Sequence, residues 1–489
     1  MSDLRFLSIK EIHDGFDEKK FTPTDLVNEL LSAIDKSETN SVLRPLKDRS
    51  LEQAKMGDQI LKTQGKVPRS ETPLFGIPIG VKDLLTIDGV ETTCASKMLE
   101  GYIPPYTSTA VKRLESAGAI SIAKLNMDEF AMGSSNENSA YGPVKHPTHP
   151  DHVPGGSSGG SAAAVREGLC TVALGTDTGG SIRLPASFCG VVGIKPTYGR
   201  VSRYGLVAFA SSLDQIGPLS RSVEDSVRVL DVMAGHDPRD STSAPLLKGN
   251  WLKSLSGAES LKGLKIGVPS EYMGEGLTDG VRNSVDAAFE WLRSQGATIK
   301  TMSLPHTDYA VATYYIVAVS EASSNLSRFD GVRFGKRPKS ADQVDKLEDF
   351  YKTVRANFGA EVKRRIILGT YSLSSGYYDA YYKRACQVRN LIKQDFDHAF
   401  KEVDVIMGPV SPNTAFRIGE KSADPLQMYL NDIMTIPASL AGLPAMSLPC
   451  GADEKGLPIG LQIIGKHFEE EMLFSVASAF ETSKLGEEK

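Results

Sequence analysis

The segment PGGSSGGSAAAVREGLCTVALGTDTGGSIRLPA, residues 154–186, contains two glycine- and serine-rich loops around a short apolar run. A short helix is predicted at 161–167 after the first loop, and the apolar run at 170–174 predicts a buried strand. The second loop follows this strand and precedes another predicted strand at 191–194. The segment therefore indicates an ordered α/β core with two tight loops and not a low-complexity linker.

Strands and helices alternate on both sides of this segment. Further strands are predicted at 76–85, 119–125, 265–268, 297–302, 403–407, 445–449 and 459–464. Further helices are predicted at 111–117, 222–233, 279–293 and 470–480, and helices predominate from about 309 to 400. Such alternation predicts an α/β fold with a central mixed, mostly parallel twisted sheet that is covered by helices on both faces.

The first 65 residues predict a helical segment that packs on the main domain. Thr22 followed by Pro23 has the pattern of an N-cap and a first helical residue. Ser50 and Gln53 have the spacing of a capping box for a second helix through about residue 62. No flexible linker divides residues 66–489, so we expect a single large domain there, with a core at about 76–220 and a helical insertion at about 305–400.

Length and composition exclude several classes of protein. With 489 residues and a net charge of −5, the chain is neither a small disulfide-stapled module nor a protein with a basic surface for nucleic acid. The five cysteines are scattered and odd in number, which favours reduced, buried thiols. No apolar run approaches the roughly 18 residues of a membrane helix, and the first 20 residues resemble no secretory signal. We therefore expect a soluble intracellular protein without membrane contact.

The first loop, GGSSGGS at 155–161, allows more than one interpretation. It lacks the lysine of a phosphate-binding P-loop and the GxGxxG spacing of a dinucleotide loop, which disfavours nucleotide binding. It matches GxSxG with Ser157 or Ser158 at the centre, so a hydrolase nucleophile elbow is an alternative. That mechanism needs a histidine base, and none of the four histidines downstream has a distinctive loop setting.

The second loop, GTDTGGSIRLP at 175–185, has adjacent glycines that allow successive N–H groups to point the same way. This is the geometry of an oxyanion hole that ends at Ser181. Lys82, after the apolar run 77–81, is the candidate base for that serine. Since a free lysine has a pKa near 10.4, burial would have to lower the pKa by about 3 units, or about 4 kcal/mol, for it to act at pH 7. The alternative is a lysine that only extends into solvent at the end of a strand.

Three motifs together resemble the amidase-signature family: GIPIGVKD around Lys82, PGGSSGGSAAAV around Ser157 and GTDTGGSIRLPA around Ser181. Their spacings, 75 and 24 residues, are also similar to those of the family, and the resemblance extends over nearly the whole chain. It implies the amidase-signature fold and a Ser-cisSer-Lys triad. Ser181 would attack a carboxamide carbonyl, Ser157 would relay the proton, and Lys82 would be the general base.

The resemblance also implies roles for the residues around the triad. The oxyanion hole would consist of the backbone N–H groups of Thr178, Gly179, Gly180 and Ser181. Asp177 and Arg183 would brace this loop through an ion pair, with direct substrate contact as the less favoured alternative.

Within the family, the segments 124–142, 320–335 and 369–385 resemble the A subunits of tRNA-dependent amidotransferases more than free-standing amidases. This resemblance implies that Arg365 binds the α-carboxylate of glutamine and that Asp432 binds its α-amino group, a chemically suitable pairing. Either Tyr314 or Tyr315 would contribute a hydroxyl group. The alternative for Arg365 is a charge on a helix surface.

The same resemblance implies a function within a heterotrimer. Ammonia released from glutamine would convert Glu-tRNA(Gln) to Gln-tRNA(Gln), in the bacterial cytoplasm or in an organelle. A B subunit would bind the tRNA and use ATP and Mg²⁺, a small C subunit would complete the complex, and this chain would hold no cofactor of its own. Use of Asp-tRNA(Asn) stays open, and a stand-alone amidase for another small carboxamide is the alternative.

His146, His149 and His152 form an HxxHxxH pattern that is typical of some metal sites. Prolines are interleaved with these histidines, and they disfavour a helix that would present all three on one face. We therefore expect loop histidines and no metal site.

Overall fold

The computed structural model describes residues 3–246, 249–421 and 424–486. In these residues, eleven strands form one sheet. The strands are β1 (Val42–Pro45), β2 (Pro78–Lys82), β3 (Ile120–Leu125), β4 (Val172–Asp177), β5 (Val192–Lys195), β6 (Gln215–Ser220), β7 (Lys265–Pro269), β8 (Thr298–Met302), β9 (Val405–Pro409), β10 (Ala445–Ala452) and β11 (Pro458–Ile464). Their order across the sheet is β1-β3-β2-β4-β6-β5-β10-β11-β9-β7-β8.

Fifteen α-helices of the described chain pack around this sheet. They are α1 (Ile9–Asp17), α2 (Pro23–Lys36), α3 (Lys47–Gln64), α4 (Thr109–Ser116), α5 (Gly159–Arg166), α6 (Arg183–Cys189), α7 (Val223–Met233), α8 (Asp279–Ser294), α9 (Ala310–Leu326), α10 (Leu347–Arg355), α11 (Ala360–Ser372), α12 (Arg384–Ala399), α13 (Pro425–Tyr429), α14 (Ile436–Leu440) and α15 (Glu470–Glu481). The helix-rich insertion predicted at about 305–400 corresponds to α9 through α12.

The α/β class and the mixed sheet are confirmed, but the expectation of a mostly parallel sheet is wrong. Parallel pairing occurs where β2 lies between β3 and β4 and where β7 lies between β8 and β9. The other six pairings are antiparallel. A physical reason is visible at β10 and β11, which only the short segment 453–457 connects. Such a hairpin allows antiparallel pairing alone, whereas parallel strands need a long crossover.

The ends of β2 and β4 determine where the glycine-rich loops meet. Both strands are buried along their whole length, and they pair in parallel. Their carboxyl ends therefore lie at the same edge of the sheet. Lys82 ends β2 and Asp177 ends β4, so the sheet brings Lys82 next to the loop that follows Asp177.

The first 65 residues fold onto the same core as the sheet. Apolar side chains of α1 and α2 belong to one buried cluster together with those of β2, β3 and β4. As predicted, α2 begins at Pro23, and Thr22 caps it by accepting the N–H of Asp25. The segment also contributes β1 to the sheet, a strand that the sequence analysis missed.

The predicted capping box at Ser50 is wrong, because α3 begins three residues earlier, at Lys47. Ser50 Oγ donates to the carbonyl oxygen of Lys47, and Gln53 Oε1 accepts the N–H of Ser121 in β3. Neither side chain therefore makes the reciprocal bonds to backbone N–H groups that define a capping box. Among the described residues, no helix combines the length and hydropathy that crossing a membrane requires.

Candidate active site

Lys82 is fully buried at the end of β2. Its Nζ lies 2.8 Å from Ser157 Oγ, 2.8 Å from Ser158 Oγ and 2.9 Å from Thr176 Oγ1. Burial lowers the pKa of Lys82 to about 7, although nearby carboxylates oppose this change. A substantial fraction of the amine is therefore neutral near pH 7 and can accept a proton from a hydroxyl group. The alternative of a lysine that extends into solvent is excluded.

Ser157 follows a cis peptide bond with Gly156. The glycines around this serine are required by close packing. A Cβ atom at Gly156 would overlap the carboxylate of Asp128 and lie 2.7 Å from the backbone nitrogen of Ser135, and one at Gly160 would overlap the carbonyl oxygen of Asn126. The loop is thus a tightly packed support for Ser157.

Ser181 lies in the loop between β4 and α6, and its carbonyl oxygen accepts the N–H of Ser158 at 3.1 Å. This bond joins the two glycine-rich loops. Within 3–246, 249–421 and 424–486, the four N–H groups of residues 178–181 have no hydrogen-bond acceptor in the protein. Consecutive unpaired N–H groups in a buried loop can stabilise a negatively charged oxygen.

Asp177 and Arg183 form a bidentate ion pair beneath this loop. Arg183 Nε lies 3.0 Å from Asp177 Oδ2, Nη2 lies 3.0 Å from Oδ1, and both side chains are fully buried. Arg183 also donates to the carbonyl oxygen of Thr435 and to Gln462 Oε1. Although burial alone would raise it, Arg183 holds the pKa of Asp177 below its usual value. The pair therefore connects the loop to Thr435 and to Gln462 in β11.

Arg365 is almost completely buried on α11, so the alternative of a helix-surface charge is excluded. Its Nε donates to Glu361 Oε1 at 2.8 Å. Three aromatic rings surround the guanidinium, with centroids 5.3–5.6 Å from its central carbon: Phe209, Tyr315 and Tyr429. In the described part of the chain, Nη1 and Nη2 have no acceptor, so the outer edge of the guanidinium is available to a carboxylate.

Asp432 is buried against the loop of Ser181. Its Oδ2 accepts the hydroxyl of Ser134, while its Oδ1 is buried and has no hydrogen-bond partner. A Cβ atom at Gly180 would lie 2.8 Å from Oδ1, which shows how closely the carboxylate approaches the loop. Burial raises the pKa of Asp432 to about 7. A buried acceptor without a partner indicates a place for a donor from a ligand.

The structure distinguishes the two tyrosines that the sequence left open. The ring of Tyr314 lies against Gly179, where an added Cβ atom would be 2.9 Å from the tyrosine hydroxyl. Tyr315 instead stacks on Tyr429 at 3.9 Å between ring centroids and contacts Arg365. Only Tyr314 therefore has its hydroxyl beside the loop of Ser181.

A cavity of about 170 Å³ opens beside Arg365. Glu361 and Tyr429 are among its other lining residues. Glu361 and Tyr429 were not predicted from the sequence. Glu361 lies four residues before Arg365 on the same helix, and this spacing is a signal from which it could have been found. Tyr429 donates its hydroxyl to Glu361 Oε1 at 2.8 Å, a contact between distant segments that no local pattern indicates.

The three histidines of the HxxHxxH pattern bind to loop groups. The Nε2 atoms of His146 and His149 lie 2.8 Å from the carbonyl oxygen of Phe188 and 3.1 Å from that of Lys455. His152 Nδ1 contacts the carboxylate of Asp151 at 2.7 Å. Burial lowers the pKa of His146 to about 4.

Comparisons with known proteins agree on one family. The model of the amidase family matches residues 25–474. The A subunit of glutamyl-tRNA(Gln) amidotransferase from Geobacillus kaustophilus is 56% identical over 475 residues, which are 97% of this chain and 96% of that protein. The protein of the same name from Lysinibacillus sphaericus is 61% identical over 418 residues, 85% of each chain.

Two solved structures resemble the fold over nearly its whole length. The crystal structure of the A subunit of glutamyl-tRNA(Gln) amidotransferase from Thermotoga maritima has a TM-score of 0.79 at 39% identity, and the match covers 99% of this chain and 96% of that one. The native peptide amidase from Stenotrophomonas maltophilia has a TM-score of 0.79 at 28% identity, with 97% and 96% covered. The likeness therefore includes both a component of an amidotransferase and an amidase whose name refers to peptides.

Proposed function

The chain belongs to the amidase family, and from this premise we propose that it is the glutamine-hydrolysing subunit of a Glu-tRNA(Gln) amidotransferase. The family predicted from three motifs is thereby confirmed. One observation carries the choice of glutamine as substrate. A buried guanidinium, that of Arg365, and a buried carboxylate, that of Asp432, both have unpaired polar atoms. Asp432 lies against the loop of Ser181, and the charge of Arg365 acts on the pKa of Asp432. These are the two charges that the ends of a free amino acid require.

In the proposed reaction, Ser157 passes its proton to neutral Lys82 and takes the proton of Ser181. Ser181 Oγ then bonds to the carboxamide carbon of glutamine, and the N–H groups of residues 178–181 stabilise the negative oxygen. Lys82, now an ammonium, returns the proton through Ser157 to the departing nitrogen. Ammonia leaves, and a γ-glutamyl ester remains on Ser181.

Hydrolysis of the ester repeats the same proton transfers with water as the nucleophile. Water loses its proton through Ser157 to Lys82 and bonds to the ester carbonyl carbon. The bond from this carbon to Ser181 Oγ then breaks, Ser181 regains a proton, and glutamate leaves. The site is thus returned to its starting state with one glutamine and one water converted to glutamate and ammonia.

The ammonia would be consumed by partner subunits. We propose a tRNA-binding B subunit that uses ATP and Mg²⁺ and a small C subunit, in the cytoplasm of a bacterium. The relatives from Geobacillus kaustophilus and Lysinibacillus sphaericus are named as one component of a larger enzyme, which supports assembly into a complex. The net charge of −5 supports a division of labour in which a partner binds most of the tRNA.

The variant Ser181→Ala tests this function in the complex that the chain forms. We expect amidation of Glu-tRNA(Gln) with glutamine to be lost, while amidation with ammonium chloride is retained. Ser260→Ala, an exposed serine, is the matched control and should retain both activities. Rapid hydrolysis of a different small carboxamide by the isolated chain, with no activity on glutamine, would contradict the proposal and favour a stand-alone amidase.

A further inference from the structure

Asp128 lies in the loop after β3, and its carboxylate is fully buried. Its backbone N–H donates to the carbonyl oxygen of Ser157 at 3.2 Å. Its Oδ2 accepts the N–H of Asn136 at 2.9 Å, and its Oδ1 accepts the N–H of Asn138 at 3.1 Å. Asp128 therefore joins the loop that contains Ser157 to the neighbouring loop at 134–138.

Two glycines lie directly against the carboxylate. A Cβ atom at Gly156 would overlap Oδ2, and one at Gly133 would lie within 2.6 Å of both carboxylate oxygens. The carboxylate thus packs on the backbone immediately before Ser157, whose hydroxyl is 2.8 Å from Lys82 Nζ. Any movement of this carboxylate would move the backbone that positions Ser157.

Asp128 also acts on the charge of Lys82. After burial, the largest effects on the pKa of Lys82 come from Asp128, Asp177, Asp214 and the Cys94 thiol, and that of Asp128 is the largest of these four. Asp177 is paired with Arg183, and the thiol is neutral because burial raises its pKa. Asp214 accepts the Thr178 hydroxyl at 2.7 Å. Among the described residues, Asp128 makes no ion pair with an arginine or lysine. Burial raises the pKa of Asp128 to about 6, so the carboxyl group is mostly ionised at pH 7 and above.

We propose that Asp128 is a positioning residue for the amidase reaction. Its carboxylate fixes the backbone of Ser157 against the end of β2 and provides the negative charge that stabilises Lys82 after it has accepted a proton. In the reactive form of the site Lys82 is neutral, and it becomes charged between the two proton transfers. A buried carboxylate close to it therefore favours the intermediate stage of the reaction over the resting stage.

The variant Asp128→Asn keeps the size of the side chain and one acceptor oxygen but removes the charge. In the full-length chain with its partners, we expect kcat for ammonia release from glutamine to fall by about tenfold or more, with KM changed by less than about threefold. Without the carboxylate the protonated lysine is less stable, so the acid limb of the pH profile of kcat/KM should move by about one unit to lower pH.

Asp225→Asn is the matched control, because Asp225 is also a buried carboxylate that accepts an N–H, from Ile9. It should leave kcat and the acid limb unchanged.

An unchanged kcat and acid limb in Asp128→Asn would overturn the proposal. A lower kcat with an unmoved acid limb would also overturn it, because that result assigns Asp128 a structural role without the charge effect.

If Asp128→Asn does not fold, Gly133→Ala crowds the same carboxylate and keeps its charge. We expect it to lower kcat by about threefold or more, whereas Gly274→Ala, where an added Cβ atom has no neighbour closer than 3.8 Å, should not. A Gly133→Ala variant with the kcat of the wild-type chain would overturn the proposal.

This inference rests on the proposed function through the proton relay of Ser157 and Lys82 and through the choice of glutamine as the assay substrate. Failure of the wild-type chain to release ammonia from glutamine would contradict the proposed function alone. The role of Asp128 would then be tested in the same way, with the carboxamide that the wild-type chain does hydrolyse.

Discussion

The candidate site has two sides that are built differently. One side, which we call the floor, consists of the ends of β2 and β4 and the two glycine-rich loops. The other side, the cover, consists of α9, α11 and the segment Leu430–Asp432. In the floor, charged side chains bind one another or nearby hydroxyls, as Lys82 and Asp177 do. In the cover, Arg365 and Asp432 each retain polar atoms without a protein partner.

We propose that this difference separates chemistry from recognition. In the floor, Lys82 and Ser157 are in contact before any substrate arrives, as a proton relay requires, while in the described chain the N–H groups of residues 178–181 stay free for a substrate oxygen. The cover has unpaired groups at the positions where the ends of an amino acid would bind. Substitutions in the floor should therefore lower kcat, and substitutions in the cover should raise KM.

The largest effect is expected for Lys82→Arg in the floor. Since arginine stays protonated, it cannot accept the proton of a serine, and we expect kcat to fall by about 100-fold or more with little change in KM. Lys97→Arg, at an exposed lysine, is the control. Steady-state release of ammonia from glutamine measures both variants. Retention of the wild-type rate in Lys82→Arg would refute the proton relay and with it the assignment of chemistry to the floor.

In the cover, Arg365→Lys should have the largest effect. A lysine ammonium cannot form two parallel hydrogen bonds with a carboxylate, so we expect KM for glutamine to rise by about 10- to 100-fold while kcat changes by less than about threefold. Arg293→Lys, in an exposed pair with Glu290 on α8, is the control. A large fall in kcat with an unchanged KM would show that Arg365 takes part in the chemistry and would break the division between the two sides.

A smaller effect, with a distinct pH dependence, is expected for Asp432→Asn. The pKa of Asp432 is about 7, so below pH 7 its carboxyl group becomes protonated and loses its attraction for the α-ammonium of glutamine. The KM of the wild-type chain should therefore rise as pH falls below 7. In Asp432→Asn, KM should be about tenfold higher at pH 8 and nearly independent of pH. A variant that keeps the pH dependence of the wild-type KM would contradict this role.

The smallest effect is expected for Glu361→Gln. Glu361 orients Arg365 through Nε and accepts the hydroxyl of Tyr429, and glutamine retains an acceptor for these contacts. We expect KM to rise by about threefold with kcat unchanged, as measured in the same ammonia assay. The opposite pattern, a lower kcat at constant KM, would place Glu361 with the floor.

The floor was predictable from the sequence because its residues lie in continuous motifs. Lys82, Ser157 and Ser181 each occur in a glycine-containing stretch beside an apolar run, and the parallel pairing of β2 and β4 brings the strand ends together. The roles assigned to these residues remain predictions. The close contacts that explain the glycines, such as that between Gly156 and Asp128, join residues that are distant in sequence and could not be derived from composition.

The cover was less predictable because helix packing assembles it. Arg365 and Asp432 were identified through family resemblance and not from their local pattern. The choice between Tyr314 and Tyr315 required the structure, since adjacent residues on a helix point in directions about 100° apart. Elsewhere, β1 was missed because its sequence, VLRP, has no apolar run and none of its residues is fully buried. β6 was missed because Gly217 and Pro218 are unusual inside a strand.

The identity of the nucleophile is the central claim, and trapping the acyl-enzyme tests it most directly. The wild-type chain would be mixed with glutamine, quenched in acid within one turnover, digested and analysed by mass spectrometry. The proposed reaction predicts a γ-glutamyl ester on the peptide that contains Ser181, and Ser181→Ala should form none. A γ-glutamyl ester on Ser157 or Ser158 would contradict the account and support the nucleophile-elbow alternative.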